Sequence, residues 1–403
     1  MFLPQRITQL NVDAGDRLAG TLSHHSTYEF QPNHSSIPVS LTMTSTHPES
    51  ITHGALHPIF SQNLPEGYNR RYIETRLARE AKVDDMYLLW LQGQGGVGML
   101  GYSSEYALPP IVPMSLDDIL HHQGEDTLFI SLLETYYLRN SLAGVQPKVA
   151  IPRSLDRTAM HTDLIVKSSD TQYPQLTINE YVCMQAAKHC QLDVPETYLS
   201  DDHAIFVIER FDKPSGIALG YEDFTTLMGR SNTSDAKYIG SYESLLKATK
   251  IYTNDHKQVE KIYQYIVFNC LIGNGDAHLK NFALQYPADH SRVFVSPIFD
   301  VTHTLIYPTI NNKMALKMGA DKAFPDHAAL LKLASVEGIK IRNAATIIER
   351  LADGIAGYLA QSNEVKLVSG LKQSILANLS NCTAKHPVKP VFRHSKKRKF
   401  DNN

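Results

Sequence analysis

The sequence predicts an α+β fold with a small β-rich N-terminal domain, a strand-rich lobe and a mainly helical C-terminal lobe. Three observations predict it. Residues 6 to 42 alternate apolar and polar side chains around turn signals, as short antiparallel strands do. The strand patterns DLIVK and AIFVIERFD enclose the helical pattern TINEYVCMQAAKHC. In KQVEKIYQYIVFNCLIGN, residues Val259, Ile262, Tyr263, Ile266, Val267, Cys270 and Leu271 recur at helical spacing and form one apolar face.

In chain order, the strands of residues 6 to 42 give way to helix between Asn69 and Trp90, with a break and new N-cap expected at Val83-Asp84-Asp85. The Gly-rich LQGQGGVGMLGY closes this region near residue 105. The Pro-containing ALPPIVPMS then marks a domain boundary. Strands resume at SLAGVQPKVAIPRS, and from Tyr221 onward the pattern is mainly helical, with Asn254 or Asp255 capping the apolar helix. Two strand-like pieces, NFALQY and RVFVSPIFD, precede helices from about Pro325 to Leu379. The expected division is 1–105, 106–208, 209–380 and a basic tail, 381–403, expected to be disordered.

At 403 residues and 43% apolar content, the chain can bury a large core. Its net charge of -2 is unevenly placed, because residues 385 to 399 hold seven Lys or Arg and no acid. Four scattered cysteines show neither metal spacing nor disulfide density, which suits a reducing cytoplasm. MFLPQRITQL does not read as a signal peptide, and no apolar run is long enough for a membrane span.

Gly93 to Gly98 matches G-x-G-x-x-G, but a dinucleotide site needs a strand before and a helix after. The order here is reversed, so the motif reads as a Gly-rich turn. Asp276 and Asn281 have the spacing D-x-x-x-x-N on the turn after the apolar helix, and Asp300 ends the strand pattern VFVSPIFD. Alone, that spacing also fits a polar turn capping a helix. As a set it is a phosphoryl-transfer arrangement: an Asp to receive the hydroxyl proton, and an Asn and a second Asp as hard oxygen ligands for Mg²⁺.

Lys167 ends DLIVK where a kinase places its nucleotide Lys, although a solvated strand-end Lys would look the same. Glu180 lies on the following helix, where an ion-pair partner could sit. The turn Ser141 to Lys148 could cradle phosphates on backbone N–H groups of Ala143, Gly144 and Val145. Ile208 to Asp212 ends an apolar strand at the position of a kinase hinge.

With these residues in view, the chain resembles the HipA-type serine/threonine kinase toxins of bacterial toxin-antitoxin systems, along nearly its whole length. SLAGVQPK resembles the phosphate loop, LIVK the nucleotide Lys strand, ERFD the hinge, GNGDAHLKNFAL the catalytic loop and PIFD the metal segment. NVDAGDRLAGTL and FSQNLPEGYNRR resemble the small N-terminal domain of that family. Gly275, Leu279 and Pro147 depart from the familiar pattern without removing a catalytic group.

The resemblance implies a two-lobed, protein-kinase-like fold using ATP and Mg²⁺. It implies Asp276 as catalytic base, Asn281 and Asp300 as metal ligands, and Ser141 as an autophosphorylation site. ATP contacts are expected from Ala143, Gly144, Val145, Gln146, Pro147, Lys148 and Lys167, and from Glu209, Arg210 and Phe211 through backbone groups. Asp212 is expected near the ribose, with His278 and Lys280 supporting phosphates or the loop. The implied partners are a small helix-turn-helix, HipB-like antitoxin, DNA through that antitoxin, and an aminoacyl-tRNA synthetase as target. A small-molecule kinase of the aminoglycoside or choline type, or a non-catalytic corepressor, are the other readings of this sequence.

Overall fold

A computed structural model of the chain describes residues 3–33, 38–43, 51–108, 113–122, 132, 148–153, 163–169, 172–230, 233 and 235–384. The N-terminal domain is built on an antiparallel sheet of β1 (Gln9–Ala14), β2 (Arg17–His24), β3 (Tyr28–Pro32), β4 (Ile51–His53) and β5 (Leu100–Ser103), in the order β4-β3-β2-β1-β5. Period-2 alternation turns Leu10, Val12, Leu22 and Phe30 inward. They pack with the helix Asp85–Gln92, whose residues Met86 to Leu91 are all buried. Asp84 caps that helix by accepting from Tyr87 N at 3.1 Å, so the expected break is a helix start.

A second antiparallel sheet joins β6 (Lys148–Ile151), β7 (Leu164–Ser168), β8 (Thr197–Leu199) and β9 (Ile205–Glu209), in the order β6-β7-β9-β8. Both of its faces are covered, which is why DLIVK and AIFVIE read as nearly continuous apolar runs. Val149, Ile151, Leu164, Val166, Ile205 and Val207 join the core of the N-terminal domain. The opposite face turns Phe206 and Ile208 toward the helix Leu176–His189 and the core of the helical lobe. The same alternation sends Lys167 and its cross-strand neighbour Lys148 to that second side.

The C-terminal lobe packs the helices Tyr242–Thr253, His256–Ile272, Ala344–Gln361 and Leu371–Thr383 into one core. The architecture is the expected α+β one, two-lobed and kinase-like with an added N-terminal domain. Two local expectations are corrected. The chain does not turn helical at Tyr221: β10 (Gly220–Asp223) pairs with β11 (Ala283–Tyr286), which pairs in turn with β12 (Phe294–Val295). The strand expected to run to Asp300 stops at Val295, since Pro297 follows and has no N–H for a ladder. Among the described residues no helix is long and apolar enough to cross a membrane.

Candidate active site

The helix His256–Ile272 starts where Asp255 accepts from Lys257 N at 2.8 Å and ends at Gly273, whose φ of 83° few other residues adopt. A Cβ on Gly273 would lie 2.5 Å from His303 Nδ1, and one on Gly275 would lie 2.7 Å from the Lys313 carbonyl oxygen. The two glycines let this loop lie flat against residues 303 to 313. Gly275 N accordingly donates to Thr304 Oγ1 at 2.8 Å.

Asp276 follows at the mouth of the loop, its carboxylate reaching solvent and accepting from Tyr238 Oη at 3.0 Å. A 3₁₀ turn over Leu279–Asn281 brings Asn281 round to the same side, where its Nδ2 donates to Asp300 Oδ2 at 2.9 Å. That turn explains the five-residue spacing. Asp300 adopts the left-handed region at φ 58°, which Asp tolerates better than most residues. Its other oxygen, Oδ1, is 2.6 Å from Lys167 Nζ, and Lys167 Nζ is also 2.5 Å from Glu180 Oε1.

Burial would raise the Asp300 carboxyl, but Lys167 and Lys148 outweigh it and hold the group well below the usual carboxylate range. Burial likewise opposes charge on Lys167, and the Asp300 and Glu180 carboxylates carry it above the ordinary lysine value. Asp276 behaves differently. Enclosure by the cleft walls pushes it up to about 6, against the pull of Lys237 and the Tyr238 hydrogen bond. Burial, with Lys237 and Lys280 nearby, lowers His278 to about 3, so its ring is neutral.

These side chains line one cleft of about 680 Å³ between the lobes. Lys148, Lys167, Asp276, His278, Lys280, Asn281 and Asp300 surround its polar end. Its other end is apolar and aromatic: Phe211 lies 5.3 Å from Phe299 and 6.3 Å from Tyr221, ring to ring, with Ile165 and Val97 beside them. Among the described residues no group of three His, Cys, Asp or Glu could hold a metal. The oxygen pair of Asn281 and Asp300 remains, and Asn281 Oδ1 is buried with no protein hydrogen-bond partner.

Not every expected residue presents its side chain to this cleft. Glu209 turns to Arg153 Nη1 at 2.7 Å and Tyr198 Oη at 2.9 Å. Arg210 donates to the carbonyls of Gly95 at 3.0 Å and Gly96 at 2.5 Å, and pairs with Asp212 at 2.5 Å. Asp212 borders the cleft, yet its carboxylate is held by Arg210 and by Gly98 N at 2.7 Å. The Gly-rich turn is thus the seat of an interdomain clamp. Ala143, Gly144, Val145, Gln146, Pro147 and Ser141 lie outside the described residues. So does the basic stretch 385–403.

The sequence reading missed Gln62, Asn63, Glu66 and Val97 from the N-terminal domain, and Lys237 and Tyr238 from the helical lobe. Gln62, Asn63 and Glu66 lie in FSQNLPEGYNRR and Val97 in the Gly-rich turn, but nothing in those stretches assigns them to this site, because each reaches it only through folding.

Comparison with known proteins places the chain in a family. The HipA-like C-terminal domain profile matches residues 140–358, and the HipA N-terminal domain profile matches residues 10–103. The chain is 30% identical over 288 residues to a Sinorhizobium fredii protein named "Putative kinase Y4dM", covering 66% of each. A Haemophilus influenzae protein named "Putative kinase" is 30% identical over 196 residues, 44% of this chain and 57% of that protein. The chain therefore spans somewhat less than two thirds of the length of these relatives. The serine/threonine-protein kinase toxin HipA of Shewanella oneidensis is 23% identical over 410 residues, 90% of this chain and 91% of that one. The Shewanella oneidensis HipA, solved with HipB and operator DNA, superimposes with a TM-score of 0.69 at 21% identity, over 92% of this chain and 96% of that one.

Proposed function

The chain belongs to the HipA family, and we propose that its cleft transfers the γ-phosphoryl group of ATP to a serine or threonine hydroxyl of a protein. One observation carries the reading: Lys167, Asp300 and Asn281 form a contiguous hydrogen-bonded set, while the Asp276 carboxylate stays open to the cleft.

The roles follow from chemistry. Lys167, kept charged and oriented by Glu180, is suited to the nucleotide phosphates. The aromatic end formed by Phe211, Tyr221 and Phe299 suits a flat purine. Asp300 and Asn281 offer hard oxygens, and the unpartnered Asn281 Oδ1 fits a cation that completes its shell with water and phosphate oxygens. Mg²⁺ bound there would neutralise charge on the phosphate oxygens.

Asp276 would accept the acceptor hydroxyl proton as the new oxygen–phosphorus bond forms and the bond from the γ-phosphorus to the bridging oxygen breaks, leaving ADP. A carboxyl near pKa 6 is a stronger base than an ordinary aspartate and is still ionised at neutral pH.

The proposal extends to a HipB-like helix-turn-helix antitoxin as partner, to growth arrest through a target such as an aminoacyl-tRNA synthetase, and to Ser141 as an autophosphorylation site. Likeness to the Shewanella oneidensis HipA supports the partner. The test is incubation of the purified chain with Mg²⁺, γ-labelled ATP and lysate proteins. Labelled protein carrying phosphoserine or phosphothreonine is expected. Transfer only to a small alcohol, or no transfer at all, would overturn the reading.

A further inference from the structure

Glu66 is the N-cap of the helix Gly67–Leu77 and has extended backbone, the setting in which a short polar side chain usually accepts from a first-turn N–H. Its carboxylate makes no such bond. It crosses instead to the helical lobe, where Oε1 accepts from Lys280 Nζ, 214 residues later, and Oε2 lies 3.4 Å from Lys237 Nζ.

Both lysines flank the proposed catalytic base. Lys280 stands between His278 and Asn281 in the loop. Lys237 lies 5.5 Å from the centre of the Tyr238 ring, whose hydroxyl donates to Asp276 Oδ1. Neither cation is well solvated: their side chains are 15% and 7% exposed. Two buried ammonium groups that close repel one another, and each sits on a flexible four-carbon stem. One carboxylate between them removes the repulsion, fixes both stems and leaves a single positive charge facing the cleft.

We infer that Glu66 is a positioning residue of the phosphotransfer site, through which the N-terminal domain holds Lys280 and Lys237 in the geometry that the transferring phosphoryl group meets. The inference rests on the kinase reading for its consequence and on the contact itself for its geometry. It gives the N-terminal domain a part in the reaction beyond covering the sheet.

Two measurements on the full chain test it. In the first, wild type and Glu66→Gln are acetylated briefly with acetic anhydride and the lysines are quantified by mass spectrometry. Lys280 and Lys237 are expected to react several-fold faster in the variant, with the remote, exposed Lys188 unchanged as the control. Equal reactivity would overturn the inference whether or not the chain is a kinase.

In the second, steady-state transfer is measured. Glu66→Gln is expected to lower kcat by about 10- to 100-fold, the scale set by misplacing a group at a reacting centre. The ATP KM should stay within about twofold, and Glu66→Asp should recover part of the loss. The loss caused by Glu66→Gln should be smaller in a Lys280→Gln chain than in wild type, with the remainder carried by the Lys237 contact. Unchanged kcat, or a loss shared equally between kcat and nucleotide affinity together with a lower melting temperature, would mean that the contact is only structural. A wild-type chain that transfers no phosphate defeats the kinase reading, while the acetylation result still decides the contact.

Discussion

Lys167 and Asp300 stand 133 residues apart in the chain and meet at 2.6 Å across the two lobes. Lys167 is supplied by the sheet and Asp300 by an irregular segment of the helical lobe, so their contact closes the polar end of the cleft. Glu180 completes the group from a third element.

Asp276 and Asp300 should separate under substitution. Asp276→Asn removes the group proposed to take the hydroxyl proton, whose hydrogen bond goes to Tyr238 and not to the Lys167 set. It is expected to abolish transfer, with nucleotide affinity within about threefold of wild type. Asp300→Asn should weaken Mg²⁺-dependent ATP binding as well. Calorimetric titration alongside the transfer assay distinguishes them, and full activity in either variant would count against the assignment.

The pH dependence of kcat/KM should show an acid limb. Asp276 is proposed to work as a carboxylate, and burial pushes its carboxyl up to about 6, so kcat/KM should level off above that pH and fall as the pH drops through it. His278, lowered to about 3, stays neutral across this range and should add no second limb. A limb near the ordinary aspartate value would mean that the cleft does not shift the group.

Arg210→Ala should loosen the N-terminal domain. The guanidinium is buried between the carbonyls of Gly95 and Gly96 and the Asp212 carboxylate, so truncation leaves that buried carboxylate without its ion pair and with Gly98 N as its remaining hydrogen-bond donor. The expected loss is about 3–5 kcal/mol. Denaturant unfolding measures it, and faster protease cleavage near Gly93 to Gly98 should accompany it. A change below about 1 kcal/mol would show that the clamp contributes little.

Glu222 should make stability depend on pH near neutrality. It is buried and accepts from Ser40 Oγ and Leu41 N at 2.7 Å and from Tyr286 Oη at 2.6 Å, tying the N-terminal domain to β10. Burial raises its carboxyl from 4.5 to about 7 despite those donors. Because the folded state holds the proton more tightly, the contribution is fully present below about pH 4.5 and is lost as the pH rises through about 7. The shift corresponds to roughly 3 kcal/mol as an upper value. Glu222→Gln, which can keep Oε1 as acceptor and donate to Ser40 Oγ, should flatten the profile between pH 5 and about 8. Parallel profiles for both chains would exclude this group as the cause.

Sequence alone determined the parts whose signal is local. The apolar face of KQVEKIYQYIVFNCLIGN specifies the helix that carries the loop, and the Asp276 to Asn281 spacing is the length of one turn returning to the same side. Asp84 and Asp255 are caps in the chain as in the structure. Lys167 was legible because a strand end is a fixed place. Tertiary structure alone decided everything that depends on which distant segments meet. Glu66 reaching Lys280, Arg210 turning to the Gly-rich turn and Glu222 joining Ser40 have no periodicity, since each is one side chain meeting another domain. Tertiary pairing with Ala283 to Tyr286 also made a strand of Gly220 to Asp223. Hydrogen bonds to a distant partner strand outweighed local preference there, and local preference is all that a window of sequence contains.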